Sequence, residues 1–105
     1  MGYNTKYIGE LKIENELTIK QLKLLKRVLD RISNIDLELT EDMDGLVHNG
    51  AEKSYDLDNQ INSIVEEMKR EFSDFKISGE IEAIEDFGHR YKIVMENNKA
   101  LIRSI

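Results

Sequence analysis

The feature that most constrains the fold of this chain is the order in which segments with helical spacing and segments with strand-like alternation follow one another. Apolar residues recur at spacings of three and four in residues 19–32 and 57–72, which is the spacing of one helix face. Before, between and after these segments, apolar and polar residues alternate singly, as in a half-buried strand. The sequence therefore predicts strands and helices in the order β-α-β-β-α-β-β, with an optional final strand after these.

The predicted strands cover residues 3–13, 35–40, 46–48, 75–84, 90–96 and 99–105. The first helix should begin at Thr18, because Thr18 and Gln21 form a capping-box pattern. Asp56 is in position to cap the second helix, which should end near residue 72 or 73. Turn residues at 42–45, 87–89 and 97–98 should connect strands as hairpins, and those at 33–34 should end the first helix.

Two amphipathic helices and a sheet with one apolar face bury their apolar sides together when both helices pack on one face. The predicted fold is therefore α+β: a two-layer sandwich with an antiparallel, ferredoxin-like sheet. No proline, repeat or linker-like segment divides residues 1–105, so one domain is expected. The solvent face of the sheet should carry Lys6, Ile8, Glu10, Lys12, Asp36, Glu38, Lys76, Glu80, Glu82, Arg90 and Lys92.

Composition limits the class of protein. Apolar residues make up 40% of the chain, enough to favour a folded core over disorder. The absence of cysteine excludes disulfides and thiolate catalysis, and it suits a reducing compartment. No apolar run approaches the roughly 18 residues of a membrane-spanning helix, and the N-terminal residues lack the apolar segment of a signal peptide. We therefore expect a soluble cytoplasmic protein without a membrane partner.

The formal net charge of −6 argues against direct binding of nucleic acid, because phosphate binding depends on Lys and Arg. Basic residues are nevertheless concentrated in the first helix. The simplest interpretation is that these Lys and Arg residues occupy the solvent-exposed face of an amphipathic helix.

Two stretches, residues 36–44 and 80–86, carry acidic residues and no basic residue. Both lie in or beside predicted strands, so many of their carboxylates should stand on a rigid surface. The sequence predicts that this surface contacts a basic partner; an ordinary solubilising surface is the alternative. The candidate contact residues are Asp36, Glu38, Asp42, Asp44, Glu80, Glu82, Glu85 and Asp86.

Motifs for catalysis or metal binding are not found. The segment Asp42-Met43-Asp44-Gly45 matches only the start of a calcium loop, and a hairpin turn explains it better. His48 and His89 lie in different predicted hairpins, away from a metal-binding spacing. We therefore predict no catalytic residue, no metal and no cofactor. A deep pocket around either histidine, with perturbed carboxylates, would favour an enzyme instead.

An RNA-stacking surface is one role that aromatic residues have on other small α+β sheets. Tyr3, Tyr7, Phe75 and Tyr91 all fall on the predicted buried face of the sheet, so core packing is the preferred interpretation. Tyr91 lies between Arg90 and Lys92 and would be exposed if the strand register slipped by one residue.

Several segments resemble a group of small proteins from bacteriophages and prophages. These segments are Tyr7-Ile8-Gly9-Glu10-Leu11-Lys12, Ile35-Asp36-Leu37-Glu38-Leu39, Glu52-Lys53-Ser54-Tyr55-Asp56 and Arg90-Tyr91-Lys92-Ile93-Val94. The resemblance supplies no activity to transfer. It implies a phage accessory protein, a class in which small acidic proteins often inhibit host machinery that binds nucleic acid.

Two functional hypotheses follow. In the first, a nonenzymatic phage protein, for example an anti-CRISPR, presents its carboxylates to the basic nucleic-acid-binding site of a host protein. In the second, a small assembly or regulatory module forms a homodimer through an exposed edge strand. The C-terminal strand is the candidate, because Ala100, Leu101, Ile102 and Ile105 are unusually apolar for an unpaired edge.

Overall fold

The computed structural model describes residues 5–32, 35–50, 56–86 and 88–105. Predicted features at residues 3–4, 33–34 and 87 lie outside this part of the chain. The elements are β1 (Thr5–Ile8), β2 (Glu10–Ile13), α1 (Ile19–Arg31), β3 (Leu37–Leu39), β4 (Gly45–His48), α2 (Leu57–Glu71), β5 (Ile77–Glu85), β6 (Arg90–Glu96) and β7 (Lys99–Ser104).

All strands of the described residues belong to one antiparallel sheet. The strand order is β3-β4-β2-β5-β6-β7, and β1 also pairs with β5. The predicted α+β class with an antiparallel sheet is confirmed. The described order includes the optional final strand as β7, and it differs from the prediction in the division of the first strand into β1 and β2.

The division of the first strand occurs at Gly9. Both halves pair with β5 in one continuous register, which places Ile8 opposite Glu82 and Leu11 opposite Gly79. Gly9 has a φ of +106°, and a Cβ atom there would lie 3.0 Å from a carbonyl oxygen of β5. Glycine therefore permits a local bend without a change of register.

One hydrophobic core joins both helices to one face of the sheet. Along β2, Leu11 and Ile13 are buried while Glu10 and Lys12 are exposed, as the alternation predicts. The strand residues of this core are Leu11, Ile13, Leu37, Leu46, Ile77, Ile81, Ile93 and Ala100. The other face has no helix packed on it among the described elements, so its side chains contact solvent.

The two helix starts differ from each other. The Oγ1 atom of Thr18 accepts the N–H of Gln21 at 3.1 Å, and the side-chain carbonyl of Gln21 accepts the N–H of Thr18 at 2.9 Å, so the predicted capping box is confirmed. Asp56 occupies the predicted N-cap position of α2, but its side chain makes no capping bond. It accepts instead a hydrogen bond of 3.2 Å from Nε2 of Gln60.

Side-chain amides hold the segment that leads into β5. Asn15 binds one edge of this segment, because its Oδ1 accepts the N–H of Lys76 at 2.8 Å and its Nδ2 donates to the carbonyl of Asp74 at 2.9 Å. An amide that pairs with an N–H and a C=O in this way replaces a neighbouring strand.

Asn98 binds the opposite edge. Its Oδ1 accepts the N–H of Ile77 at 3.0 Å, and its Nδ2 donates to the carbonyl of Phe75 at 2.8 Å. Asn97 and Asn98 form the predicted turn between β6 and β7, with φ values of 50° and 64°. The turn therefore also fixes the start of the central strand.

We predict that Asn98→Gly lowers the free energy of unfolding by about 1–3 kcal/mol, because two backbone groups lose their partner. Glycine retains the left-handed conformation of the turn, so the change isolates the amide. Asn97→Gly is the matched control and should change stability by less than about 0.5 kcal/mol. Urea unfolding measures both variants, and equal stability of the two would contradict the role of Asn98.

Candidate functional site

The chemically richest site lies where β1 and β6 flank the end of β5. Tyr7 of β1 and Tyr91 of β6 both lie opposite Ala83, so all three side chains share one face of the sheet. The small side chain of Ala83 leaves room for the hydrogen bond between the two phenol groups. Both tyrosines are half-buried against the core, so the predicted buried side is correct.

Both histidines of the chain extend this row of rings. The ring centroids of His48 and Tyr7 are 4.4 Å apart with an interplanar angle of 35°. The centroids of His89 and Tyr91 are 6.4 Å apart with an angle of 44°. Four rings from three strands and the turn before β6 therefore lie in sequence across one end of the sheet.

Tyr7 is held as a protonated phenol. Burial raises its pKa most, and the hydrogen bond with Tyr91 and the charge of that phenol raise it further. The negative charges of Asp36 and Glu85 also raise the pKa of Tyr7. At neutral pH the Tyr7 hydroxyl can donate a hydrogen bond but cannot act as a base.

His48 is held as a neutral ring. Burial lowers the pKa of His48, and the nearby carboxylate of Asp36 opposes this effect in part. The Nδ1 atom accepts the N–H of Gly50 at 3.2 Å. The proton of the neutral ring is therefore on Nε2.

Asp36 is fixed beside these rings by α2. The buried side chain of Gln60, 7% exposed, accepts the N–H of Asp36 at 2.8 Å and donates to its Oδ2 at 2.9 Å. The amide nitrogen also reaches Oδ1 of Asp56. We call the set of Tyr7, Asp36, His48, Glu85, His89 and Tyr91 the aromatic–acidic cluster.

The chemistry of the aromatic–acidic cluster suits a positively charged group. The faces of aromatic rings carry negative charge density, and carboxylates beside them strengthen the attraction for a cation. His48 does not oppose this attraction while it is neutral. No group of three or more residues suited to holding a metal ion occurs within the described ranges.

The predicted acidic residues of β5 lie elsewhere. Glu80 and Glu82 are on the solvent face of the sheet, as predicted, but each is close to a cation of β6. Nζ of Lys92 lies 3.5 Å from Glu80, and the guanidinium of Arg90 lies 3.7 Å from Glu82. These ion pairs reduce the net negative charge of the face, which is mixed in sign.

The hairpin between β3 and β4 carries Asp42 and Asp44 at the far end of the sheet. The carbonyl of Asp44 accepts the N–H of Ile13, which pairs with Ile77 at the beginning of β5, whereas Glu85 ends that strand. Asp42 and Asp44 are thus separated from Glu85 by the length of β5.

The remaining predicted acids occupy three positions. Glu38 is exposed on β3, on the solvent face opposite Val47. The prediction that Asp36 lies on the solvent face is wrong, because Asp36 precedes β3 and bonds Gln60 of α2 on the helix side. Asp36 and Glu85 belong to the aromatic–acidic cluster, and Asp86 follows in the turn. The eight carboxylates therefore do not form one continuous surface, and only Asp36, Glu85 and Asp86 are at the end of the sheet where the rings lie.

Sequence reasoning assigned the tyrosines of the cluster to the core and the histidines to polar turns. One signal could have placed the two tyrosines on the same face of the sheet. Tyr7 and Tyr91 both occupy odd-numbered positions, and the buried residues of their strands are also odd-numbered. Without the strand order, that signal could not show that both strands flank β5.

Two hollows occur elsewhere in the described part of the molecule. The larger, of about 860 Å³, lies between α2 and the β6–β7 turn, and the smaller, of about 290 Å³, lies between the helices near Phe72. Both are open, and neither contains a residue of the aromatic–acidic cluster.

Comparisons with protein-family models, curated proteins and solved structures give no match to this chain. Neither helix of the described ranges has the length and apolar content needed to cross a membrane.

We predict that acid destabilises the protein through His48. Because burial lowers the pKa of His48 below its unfolded value of about 6.5, the unfolded chain binds more protons just below that pH. The free energy of unfolding should therefore fall as the pH is lowered through about 6.5, until the folded pKa is passed.

Urea unfolding across a pH series measures this effect. The fall should be smaller in His48→Gln, while the matched variant His89→Gln serves as control for loss of a ring. An identical pH dependence in wild type and His48→Gln would contradict the prediction.

Proposed function

We propose that this chain is a nonenzymatic binding protein that contacts a basic protein through its aromatic–acidic cluster. The observation that carries the proposal is the meeting of rings and carboxylates at one end of the sheet. The ring of Tyr7 lies 4.4 Å from that of His48, whose strand neighbour Leu37 directly follows Asp36. Glu85 ends β5 at the same place, two residues beyond the partner of Tyr7. Most of the other predicted acids either lie at the far end of the sheet or have a cation close by. The cluster is thus the most coherent negative site for a partner.

Placement of the charges supports binding rather than only solubility. Solubilising charges need no fixed geometry, whereas Asp36 is held by two hydrogen bonds to a buried glutamine. A fixed carboxylate beside partly exposed rings matches a lysine or arginine side chain in both charge and shape. Preorganisation of this kind lowers the entropy lost on binding.

A basic nucleic-acid-binding protein of the host is the partner class that we propose. Its channel attracts carboxylates by the same field that attracts phosphate. The resemblance to small phage proteins favours an accessory role in the host cytoplasm, such as an anti-CRISPR or another inhibitor of host defence. Direct contact with nucleic acid is not part of this proposal, because the net charge is −6.

The ferredoxin-like assignment is also a proposal. The strand order β3-β4-β2-β5, with α1 after β2 and α2 after β4, supports a ferredoxin-like unit at the beginning of the chain. In this interpretation β6 and β7 are additions that extend the sheet beyond β5.

Charge reversal tests the proposed contact. Affinity capture from nuclease-treated host lysate should retain a basic nucleic-acid-binding protein on the wild-type chain. The variant Glu85→Lys should weaken binding of that protein at least about tenfold, because it places a cation beside Tyr7. Binding of the purified partner is measured by calorimetry.

The triple variant Glu38→Lys, Glu80→Lys and Glu82→Lys is the control for the solvent face. It changes more charge than Glu85→Lys, yet it should retain binding within about threefold if the cluster is the contact. Loss of binding in the triple variant alone would move the contact to the sheet face. Unchanged binding in both variants would reject an electrostatic contact at either place.

A further inference from the structure

The β7 strand is an edge of the sheet, and its turn determines which backbone groups point outward. Asn97 and Asn98 form a two-residue hairpin turn, so Glu96 and Lys99 are the hydrogen-bonded pair that closes it. Hydrogen-bonded and non-hydrogen-bonded pairs alternate from that point. The N–H and C=O groups of residues 100, 102 and 104 therefore point away from β6.

A side chain of α2 already occupies the first of these positions. Nδ2 of Asn62 donates to the carbonyl of Ala100 at 3.2 Å, and its Oδ1 accepts the N–H of Ala100 at 2.8 Å. These bonds confirm that the groups of Ala100 point outward. Asn62 thus protects one residue of the edge in the way that a neighbouring strand would.

The next two positions lack such cover among the described residues. Ile102 and Ser104 have their outward groups on the free side of β7, where the sheet has no further strand. Ile102 is 56% exposed and Ile105 is 64% exposed, which is unusual for large aliphatic side chains beside an open edge. This part of the edge has the features of a strand-pairing site.

We propose that two copies of this chain associate through antiparallel pairing of their β7 strands, with Ile102 of each copy opposite Ser104 of the other. In this register both open residues exchange their N–H and C=O bonds with the partner. A second copy fits because the same edge is self-complementary about a twofold axis.

Asn62 selects this register over its neighbour. If Ile102 were opposite Ile102 of the other copy, Ser104 would be opposite Ala100, whose outward groups Asn62 already binds. That pairing would therefore displace Asn62 or leave the groups of Ser104 unpaired. The proposed register uses both open residues and leaves Asn62 in place.

Side chains on the solvent face follow from the same register. Leu101 lies opposite Ile105 of the other copy, which buries apolar surface at two symmetric places. Arg103 lies opposite Arg103 of the other copy, and each has an ion pair with Glu96 in its own chain. Like charges directly opposite weaken the pair.

A few paired residues bury less surface than the roughly 1,200 Å² of a stable interface, so the dimer is weak and depends on concentration. Sedimentation equilibrium over about 10 µM to 1 mM protein tests the association. Wild-type chain should pass from monomer to dimer within this range, and a monomer throughout would overturn the proposal.

A proline at position 102 tests the use of the edge. Ile102→Pro removes an outward N–H that takes no part in the β6–β7 ladder, so it should raise the dimer dissociation constant at least tenfold. Ile102→Thr is the matched control, since it keeps the N–H and a β-branched side chain. Equal association of the two variants would exclude the edge as the interface.

Arg103→Glu tests the register without relying on proline. Mixed with wild type, it should form a heterodimer about tenfold tighter than either homodimer, because Arg103 then faces a glutamate. Sedimentation of one fluorescently labelled chain with the other unlabelled measures this preference. A statistical mixture of dimers would overturn the proposed register.

Discussion

Central to the structure is the pairing of β5 with strands from both ends of the chain. Its nine residues join β1 and β2 on one side and β6 on the other. Alternation along this strand assigns Ile77, Ile81 and Ala83 to the core and Glu80 and Glu82 to solvent. The position of Ala83 also brings Tyr7 and Tyr91 together, so the candidate site depends on the same register as the core.

Side-chain amides complete backbone pairing where strands are absent. Asn15 and Asn98 hold opposite edges of the segment before β5, and Asn62 covers part of the edge of β7. Gln60 fixes Asp36 in a related way, with one bond to its backbone and one to its carboxylate. A small sheet can thus satisfy backbone groups without additional strands, and one of these amides also positions a residue of the proposed binding site.

Local patterns predicted the elements because each pattern reflects a periodic geometry. The spacing of Leu25 and Val28 followed from one face of a helix, and the alternation of Leu11 with Lys12 followed from a pleated strand. The capping pair Thr18 and Gln21 is equally local. Asp56 shows the limit of such reasoning, because its oxygen is taken by a side chain of the next turn instead of a helix N–H.

The sequence by itself determined the class of fold, the face of each strand that is buried and the net negative charge, since these depend on residue type and spacing. Tertiary structure decided which charges act together. Strand order placed cations of β6 beside Glu80 and Glu82 and gathered Asp36, His48 and Glu85 around Tyr7. Electrostatic and ring contacts depend on distances across strands, and a one-dimensional pattern contains no such distances.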